Sequence, residues 1–344
     1  MNNMQQPKNE ESDPLVSIRN LSVEFSTEEG IVRAVEDMSF DVPRGKTLCI
    51  VGESGCGKSV TGRAIMRIID PPGKIVSGKI TYHPTPDETI DITALRPMSS
   101  QIRAIRGGEI GMIFQEPMVS LGPIQKIGKQ ISETIKIHTS CTKREAKERA
   151  IEILHKVGIP DPAKRYDAYP FQLSGGMRQR VMIALGLACS PKLLIADEPT
   201  TALDVTTQAA ILDLIRELQD ETGMAVMFVT HDLGVVAEIA DQVAVVYLGR
   251  VVEEGDVHTI FNDPKHPYTK ALLKSIPKIG GSREPLYSIK GMVPNPLNRP
   301  FGCPFYPRCE AFIPGQCDQE IPAPVQVGSN HTVRCLQYKE GGDQ

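Results

Sequence analysis

The sequence predicts an α/β fold built on a parallel core sheet, and three observations point there. "KLLIADE" and "AVMFVTH" are apolar runs without alternation, the pattern of strands buried on both faces. Between them "TQAAILDLIRELQDETG" repeats Ile211, Ile215 and Leu218 at helical spacing and stops at Gly223. Strand, helix, strand in that order implies parallel strands. Third, "CIVGESGCGKSVTGRAIMRI" places a glycine-rich turn between another apolar strand and a helical pattern.

The elements follow along the chain. The opening "MNNMQQPKNEESDP" is polar and acidic, unlike a signal or transit peptide, so residues 1–14 are expected to be a disordered lead-in. "LVSIRNLSVEF", "VRAVEDMSFDV" and "KTLCIVG" are rich in Val, Ile and Phe and are broken by turn residues, which predicts a small β-rich lobe running into a buried strand. Thr142 and Glu145 form a capping box ahead of Ala150, Ile153, Leu154 and Val157, so an amphipathic helix is expected to end near Gly158. Ten of the 27 prolines lie between Pro277 and Pro324, which argues against regular helix there and places a boundary near Ser282. The predicted division is a main domain over 15–282 and a Pro/Cys-rich region over 283–344.

With 344 residues the chain can bury a sizeable core. Its longest apolar stretches, such as "VAVVYLG", are strand length, far short of the roughly 20 residues that span a bilayer. A net charge of −4 with dispersed Lys and Arg offers no basic footprint, so nucleic acid is not the expected partner. Eight cysteines without a secretory signal point to a reducing cytoplasm. Cys49, Cys56, Cys141 and Cys189 are scattered and are expected to be small buried apolar residues.

Gly52, Gly57, Lys58 and Ser59 have the G-x-x-x-x-G-K-S spacing of a P-loop. Glycines let the loop curl so that successive N–H groups face phosphate oxygens, and the helix N-terminus adds partial positive charge. Gly52, Ser54, Gly55, Cys56, Gly57, Lys58, Ser59 and Val60 are therefore the predicted cradle, with Lys58 reaching the β- and γ-phosphates and Ser59 holding Mg²⁺. At the end of "KLLIADEP", Asp197 is expected to hold the metal and Glu198 to orient or deprotonate the attacking water. Ser174, Gly175 and Gly176 begin a further helical pattern and form a second helix N-terminus able to bind an anion. Either the chain binds two phosphate groups, or this second device serves a nucleotide held by another subunit.

Taken together, "GESGCGKS", "MIFQEP", "LSGGM", "LLIADE", "TALD" and "FVTHD" resemble, in order, the motifs of the nucleotide-binding subunits of ABC transporters, over about Leu15 to Thr269. The resemblance implies an ABC-type fold with an antiparallel β lobe and a helical insert at about 117–180. It implies a head-to-tail dimer in which the 174–176 segment and Asp204 act on ATP held by a partner subunit, identical or paralogous. It also implies that Gln115 senses the γ-phosphate and joins Ser59 and Asp197 on Mg²⁺, that His231 stabilises the transition state and that Phe25 stacks on adenine. "FQEPMVSLGP", "SGGMRQRVMIA", "KHPYTKALLKSIP" and the Cys-rich end are similar to the oligopeptide and dipeptide uptake group. Two transmembrane permease subunits, an extracytoplasmic substrate-binding protein and a peripheral place on the cytoplasmic face of the membrane follow from that likeness. Nickel importers share much of it. A soluble ABC ATPase is the rival from another class, and it usually carries two cassettes or a long insert.

Cys303, Cys309, Cys317 and Cys335 follow a C-x5-C-x7-C-x17-C spacing. In a reducing compartment four thiolates suit zinc or an iron–sulfur cluster, and the tight C-x2-4-C knuckles usual for zinc are absent. The expectation is a [4Fe–4S] cluster stapling a small irregular lobe, as the resemblance also implies, with zinc and a metal-free tail as alternatives.

Overall fold

A computed structural model describes residues 14–116, 120–201, 203–276 and 288–338. Nearly all of the expected lead-in and the boundary near residue 282 lie outside the described residues. Among the described residues twelve strands follow one another: β1 (Val16–Thr27), β2 (Gly30–Val42), β3 (Thr47–Val51), β4 (Gly73–Thr85), β5 (Glu88–Asp91), β6 (Ile110–Ile113), β7 (Leu193–Asp197), β8 (Ala225–Thr230), β9 (Gln242–Tyr247), β10 (Arg250–Asp256), β11 (Val325–Gly328) and β12 (His331–Val333). The first helices are α1 (Lys58–Ile65), α2 (Ser100–Gly108), α3 (Ile127–His138), α4 (Lys143–Lys156) and α5 (Pro162–Arg165). They are followed by α6 (Gly175–Gly186), α7 (Val205–Thr222), α8 (Leu233–Ile239), α9 (Val257–Asn262) and α10 (Pro267–Lys274).

Two sheets result. An antiparallel lobe has the order β2-β1-β4-β5, and the larger sheet has the order β11-β12-β10-β9-β3-β8-β7-β6. Within the larger sheet β9, β3, β8, β7 and β6 are parallel. Its strands separate two cores, which explains their unbroken apolar sequences. Leu48 and Ile50 of β3 face the β lobe with Met227 of β8, whereas Cys49 and Val51 face the helical side with Val226 and Phe228.

Helix boundaries follow local chemistry. Thr142 accepts the N–H of Glu145, and the Glu145 side chain accepts the N–H of Thr142, closing the predicted capping box at the start of α4. Gly223 ends α7 in the left-handed region, at φ 67°. Of the scattered thiols Cys49 and Cys56 are buried, but Cys141 and Cys189 are only partly so. Both of these follow helix ends, where side chains meet solvent.

The tail departs from the expected irregular lobe in one respect. β12 pairs antiparallel with β10, matching Glu253 to Val333 and Glu254 to Thr332, so the β11–β12 hairpin prolongs the core sheet. Phe305, Cys303, Cys317 and Leu336 join the core on the helical side, which gives this segment apolar packing of its own.

Candidate functional site

β3 delivers the chain into the loop that starts at Gly52, and α1 receives it at Lys58. Gly55 and Gly57 have φ of 77° and 96°, values that side-chain-bearing residues rarely adopt. Gly57 has a second constraint, because a Cβ there would come within 2.2 Å of the Ala34 carbonyl oxygen of β2. Ser54 and Gly55 are exposed at the loop tip, Cys56 is buried, and Val60 lies in the first turn of α1. Lys58 is 4% exposed, and its Nζ donates to the carbonyls of Gly52 at 2.7 Å and Glu53 at 3.0 Å. In this arrangement the ammonium occupies the loop's own carbonyls.

Beside the loop, Ser59 Oγ donates to Asp197 Oδ1 at 2.7 Å, joining the start of α1 to the end of β7. Burial, partly opposed by the Ser59 contact, raises the Asp197 carboxyl above the usual range. A hydroxyl and a carboxylate side by side are hard oxygen donors and fit Mg²⁺ in kind.

Glu198 follows at φ 46°, a left-handed conformation unusual for a side-chain-bearing residue, and its N–H is fixed to the Val229 carbonyl at 2.9 Å. Three side chains converge on its carboxylate. Gln115 Nε2 and Thr201 Oγ1 each donate to Oε2 at 3.0 Å, and His231 Nδ1 lies 3.3 Å from Oε1. Gln115, Glu198 and His231 come from three different strand ends, so the parallel sheet assembles the group. Thr201 was missed in the sequence, where it reads as an ordinary residue after "DEPT"; only its spacing of three from Glu198 hinted at a turn contact.

The second predicted phosphate device is a separate locus. Ser174 caps α6 by accepting the Met177 N–H at 3.3 Å, and Gly175 is exposed with nothing within 4 Å of where a Cβ would stand. Gly176 packs on the Thr207 side chain, and Thr207 is in turn bound by Asp204, which accepts its N–H at 3.0 Å and its hydroxyl at 2.7 Å. The 174–176 segment and Asp204 are thereby neighbours on an open surface. Phe25 lies on β1 of the lobe, half-buried and packed so closely on Gly73 that a Cβ there would meet its ring at 2.5 Å.

In the tail all four thiols are free, and each lies near enough to others of the set to influence their protonation. Cys303 interacts electrostatically with Cys309, Cys317 and Cys335, Cys309 with Cys317, and Cys335 with Cys309 and Cys317. The Cys303 N–H donates to the Cys317 carbonyl at 2.8 Å, and Gly302, at φ 85°, leaves no room for a Cβ against that carbonyl. Burial pushes the Cys303 thiol up to about 12 and the Cys335 thiol to about 11. Among the described residues, however, no three His, Cys, Asp or Glu side chains are spaced to hold one metal ion. The donor set suits an iron–sulfur cluster in kind, but its spacing is not that of a formed ligand shell.

No helix among the described residues is long and apolar enough to cross a membrane. Residues 35–201 match the family described as "ABC transporter", and residues 252–317 match "Oligopeptide/dipeptide transporter, C-terminal region". A Brucella melitensis protein named for peptide import and ATP binding is 48% identical over 334 residues, 95% of this chain and 98% of that protein. The dipeptide transport ATP-binding protein DppD of Escherichia coli is 47% identical over 321 residues, 93% and 96% of the two chains. Among solved structures, the dimeric post-hydrolysis ATP-binding cassette MJ0796 bound to ADP and Pi superposes with a TM-score of 0.62 at 27% identity, covering 70% of this chain and 98% of that one.

Proposed function

Because the chain belongs to the ATP-binding proteins of ABC transporters and carries the C-terminal region of the oligopeptide/dipeptide group, we propose that it binds and hydrolyses ATP to drive uptake of di- or oligopeptides across the cytoplasmic membrane. The observation that carries this reading is the convergence of Gln115, Thr201 and His231 on Glu198 beside the Ser59–Asp197 pair at the P-loop. In it, residues 15–282 are the ATP-binding domain, about 117–180 its helical insert and 283–344 the tail. The subunit is peripheral on the cytoplasmic face, docked on two permease subunits that receive peptide from an extracytoplasmic binding protein.

The residues divide the work. Lys58 exchanges the carbonyls of Gly52 and Glu53 for phosphate oxygens, and the loop N–H groups bind the same oxygens. Ser59, Asp197 and Gln115 would hold Mg²⁺, which supplies charge neutralisation to the transferring phosphoryl group. Glu198, already oriented by its three partners, takes the proton of the attacking water, while His231 stabilises the charge that develops. Phe25 stacks on adenine. Ser174, Gly175, Gly176 and Asp204 face outward and complete the site of a second ATPase subunit in a head-to-tail dimer. In the same reading Cys303, Cys309, Cys317 and Cys335 would hold a [4Fe–4S] cluster; its support is the chemistry of the donor set, four free thiols within one tail.

The test of cargo is reconstitution of the chain with its membrane subunits in vesicles. ATP-dependent accumulation of a labelled dipeptide is expected; nickel uptake without peptide uptake, or failure to co-purify with membrane subunits, overturns the assignment. For the tail, iron and sulfide analysis after anaerobic purification is expected to find a cluster that Cys303→Ser loses. Colourless protein with one zinc and no sulfide overturns it.

A further inference from the structure

The P-loop is gripped from outside by the tail. Every polar group of Glu53, the residue after Gly52, is engaged. Its N–H donates to the Tyr268 hydroxyl at 3.0 Å, and its carbonyl accepts from Lys58 Nζ at 3.0 Å and from the Cys56 N–H at 3.3 Å. Its carboxylate receives both arms of Arg308, Nη1 at 2.7 Å and Nη2 at 3.1 Å. Arg308 lies 255 positions further along the chain, next to Cys309, and its side chain is only 4% exposed. The guanidinium is itself held: Nε donates to the Lys290 carbonyl at 3.2 Å, Nη1 reaches the Tyr247 hydroxyl at 3.3 Å, and the group lies 5.8 Å from the centre of the Tyr247 ring. A two-pronged, charge-assisted contact of this kind fixes direction as well as distance.

Its value to the site follows from Lys58. When phosphate draws Nζ away from the Gly52 and Glu53 carbonyls, the loop loses two internal bonds at the moment it must keep its curvature. What remains at Glu53 is the long 3.3 Å bond from the Cys56 N–H within the loop and, from outside it, the Tyr268 hydroxyl on its backbone and Arg308 on its side chain. Arg308 also pairs a carboxylate that would otherwise repel a triphosphate at short range.

We propose that Arg308 is a positioning residue of the nucleotide site, acting through Glu53 to hold the P-loop in its phosphate-binding shape and thereby making the cysteine-rich tail part of the ATP-binding apparatus. The proposal rests on the reading of residues 52–59 as the phosphate cradle.

ATP affinity of the full-length chain, measured by titration calorimetry alongside thermal unfolding, tests it. Arg308→Gln is expected to weaken ATP binding about tenfold, the scale of a lost charge-assisted contact. Arg308→Lys, which keeps the charge but not the fork, should weaken it less. Adding Glu53→Gln to Arg308→Gln should recover most of the loss, since the orphaned carboxylate is gone; a merely structural role in anchoring the tail would show no such recovery. Folded Arg308→Gln protein with unchanged ATP affinity overturns the proposal, as does a defect that Glu53→Gln leaves untouched. Should Arg308→Gln fail to fold, the same comparison runs on Arg308→Lys, and wild-type affinity there overturns it equally. Lys58→Ala separates the two readings: retained ATP affinity in that variant sinks the cradle itself, whereas its loss beside a normal Arg308→Gln sinks only the clamp.

Discussion

Glu198→Gln is the substitution that isolates the chemical step. Glutamine has nearly the same volume, and its amide oxygen can go on accepting from Gln115 Nε2 and Thr201 Oγ1, each 3.0 Å from Oε2 in the wild-type chain. The amide nitrogen then faces His231 Nδ1, which stands 3.3 Å from Oε1 and can present a lone pair in its other tautomer. Ser59 and Asp197 are untouched, so the P-loop and the metal-binding oxygens persist. What disappears is the proton acceptor. Losing a positioned general base typically costs 10²- to 10⁴-fold in rate, or about 3 to 5 kcal/mol of transition-state stabilisation. Phosphate release should fall by that factor while ATP affinity stays within about twofold, and the ATP-bound dimer should accumulate on size exclusion in Mg-ATP. The assay uses a transporter whose second ATP site is inactivated, so that the residual rate belongs to this residue. Turnover within tenfold of wild type would refute the assignment of Glu198 as the base.

Two further outcomes follow from the geometry. Phe305 is 2% exposed and wedged among Tyr247, Tyr268 and His266, with ring centroids 5.2, 5.3 and 5.8 Å away, so Phe305→Ala should cost about 3 to 5 kcal/mol and expose the tail to limited proteolysis; an unchanged denaturation midpoint and digestion pattern would show that the tail docks by other means. Burial, reinforced by Asp41 and opposed by Arg19, raises the Glu254 carboxyl to about 7, so the native state favours its protonated form: the stability this gives is complete below the unfolded value near 4.5 and is lost as pH rises through 7. Glu254→Gln should therefore match wild type near pH 5 and melt higher at pH 8, by about 1 kcal/mol once its partial exposure is allowed for; equal melting curves at both pH values would contradict the raised carboxyl.

The proposed nucleotide site is legible as a pattern because the chemistry assigned to it demands contiguous motifs. A phosphate cradle needs Gly52, Gly57, Lys58 and Ser59 at fixed offsets, and a metal-binding carboxylate needs a buried strand to end beside it, which "LLIADE" announces by its apolar run. The parallel pairing of β7 with β8 followed from the same runs, whereas the place of β3 between β8 and β9 did not. Elsewhere the pattern was too short to read. β11 and β12 have four and three residues, too few for alternation to emerge, so their pairing onto β10 had no periodic signature. The four cysteines were visible as a spacing, but a spacing does not give the distance between thiols. Arg308 carries no signal in its own stretch of sequence, because nothing local marks a partner 255 residues away.

That long-range contact belongs to a pattern. Arg299 Nη1 meets Glu36 at 2.5 Å, Arg308 meets Glu53 at 2.7 Å, and Arg334 meets Asp37 at 2.9 Å. Three arginines of the tail thus each find a carboxylate within residues 36–53, the segment that runs from β2 through β3 into the P-loop. β2 also supports the loop directly, since the Ala34 carbonyl is what forbids a side chain at Gly57. Acidic residues around a site for a polyanion would work against binding if left unpaired. Glu36 and Asp37 also meet Arg250 of β10, at 3.2 and 3.5 Å, and Arg33 lies 3.5 Å from Glu36, so the tail shares that pairing with the core, whereas Glu53 takes its ion pair from Arg308 of the tail. The electrostatic contribution of the docked tail is therefore concentrated at Glu53, the acidic residue inside the loop itself, where an unpaired carboxylate would oppose a polyanion most directly.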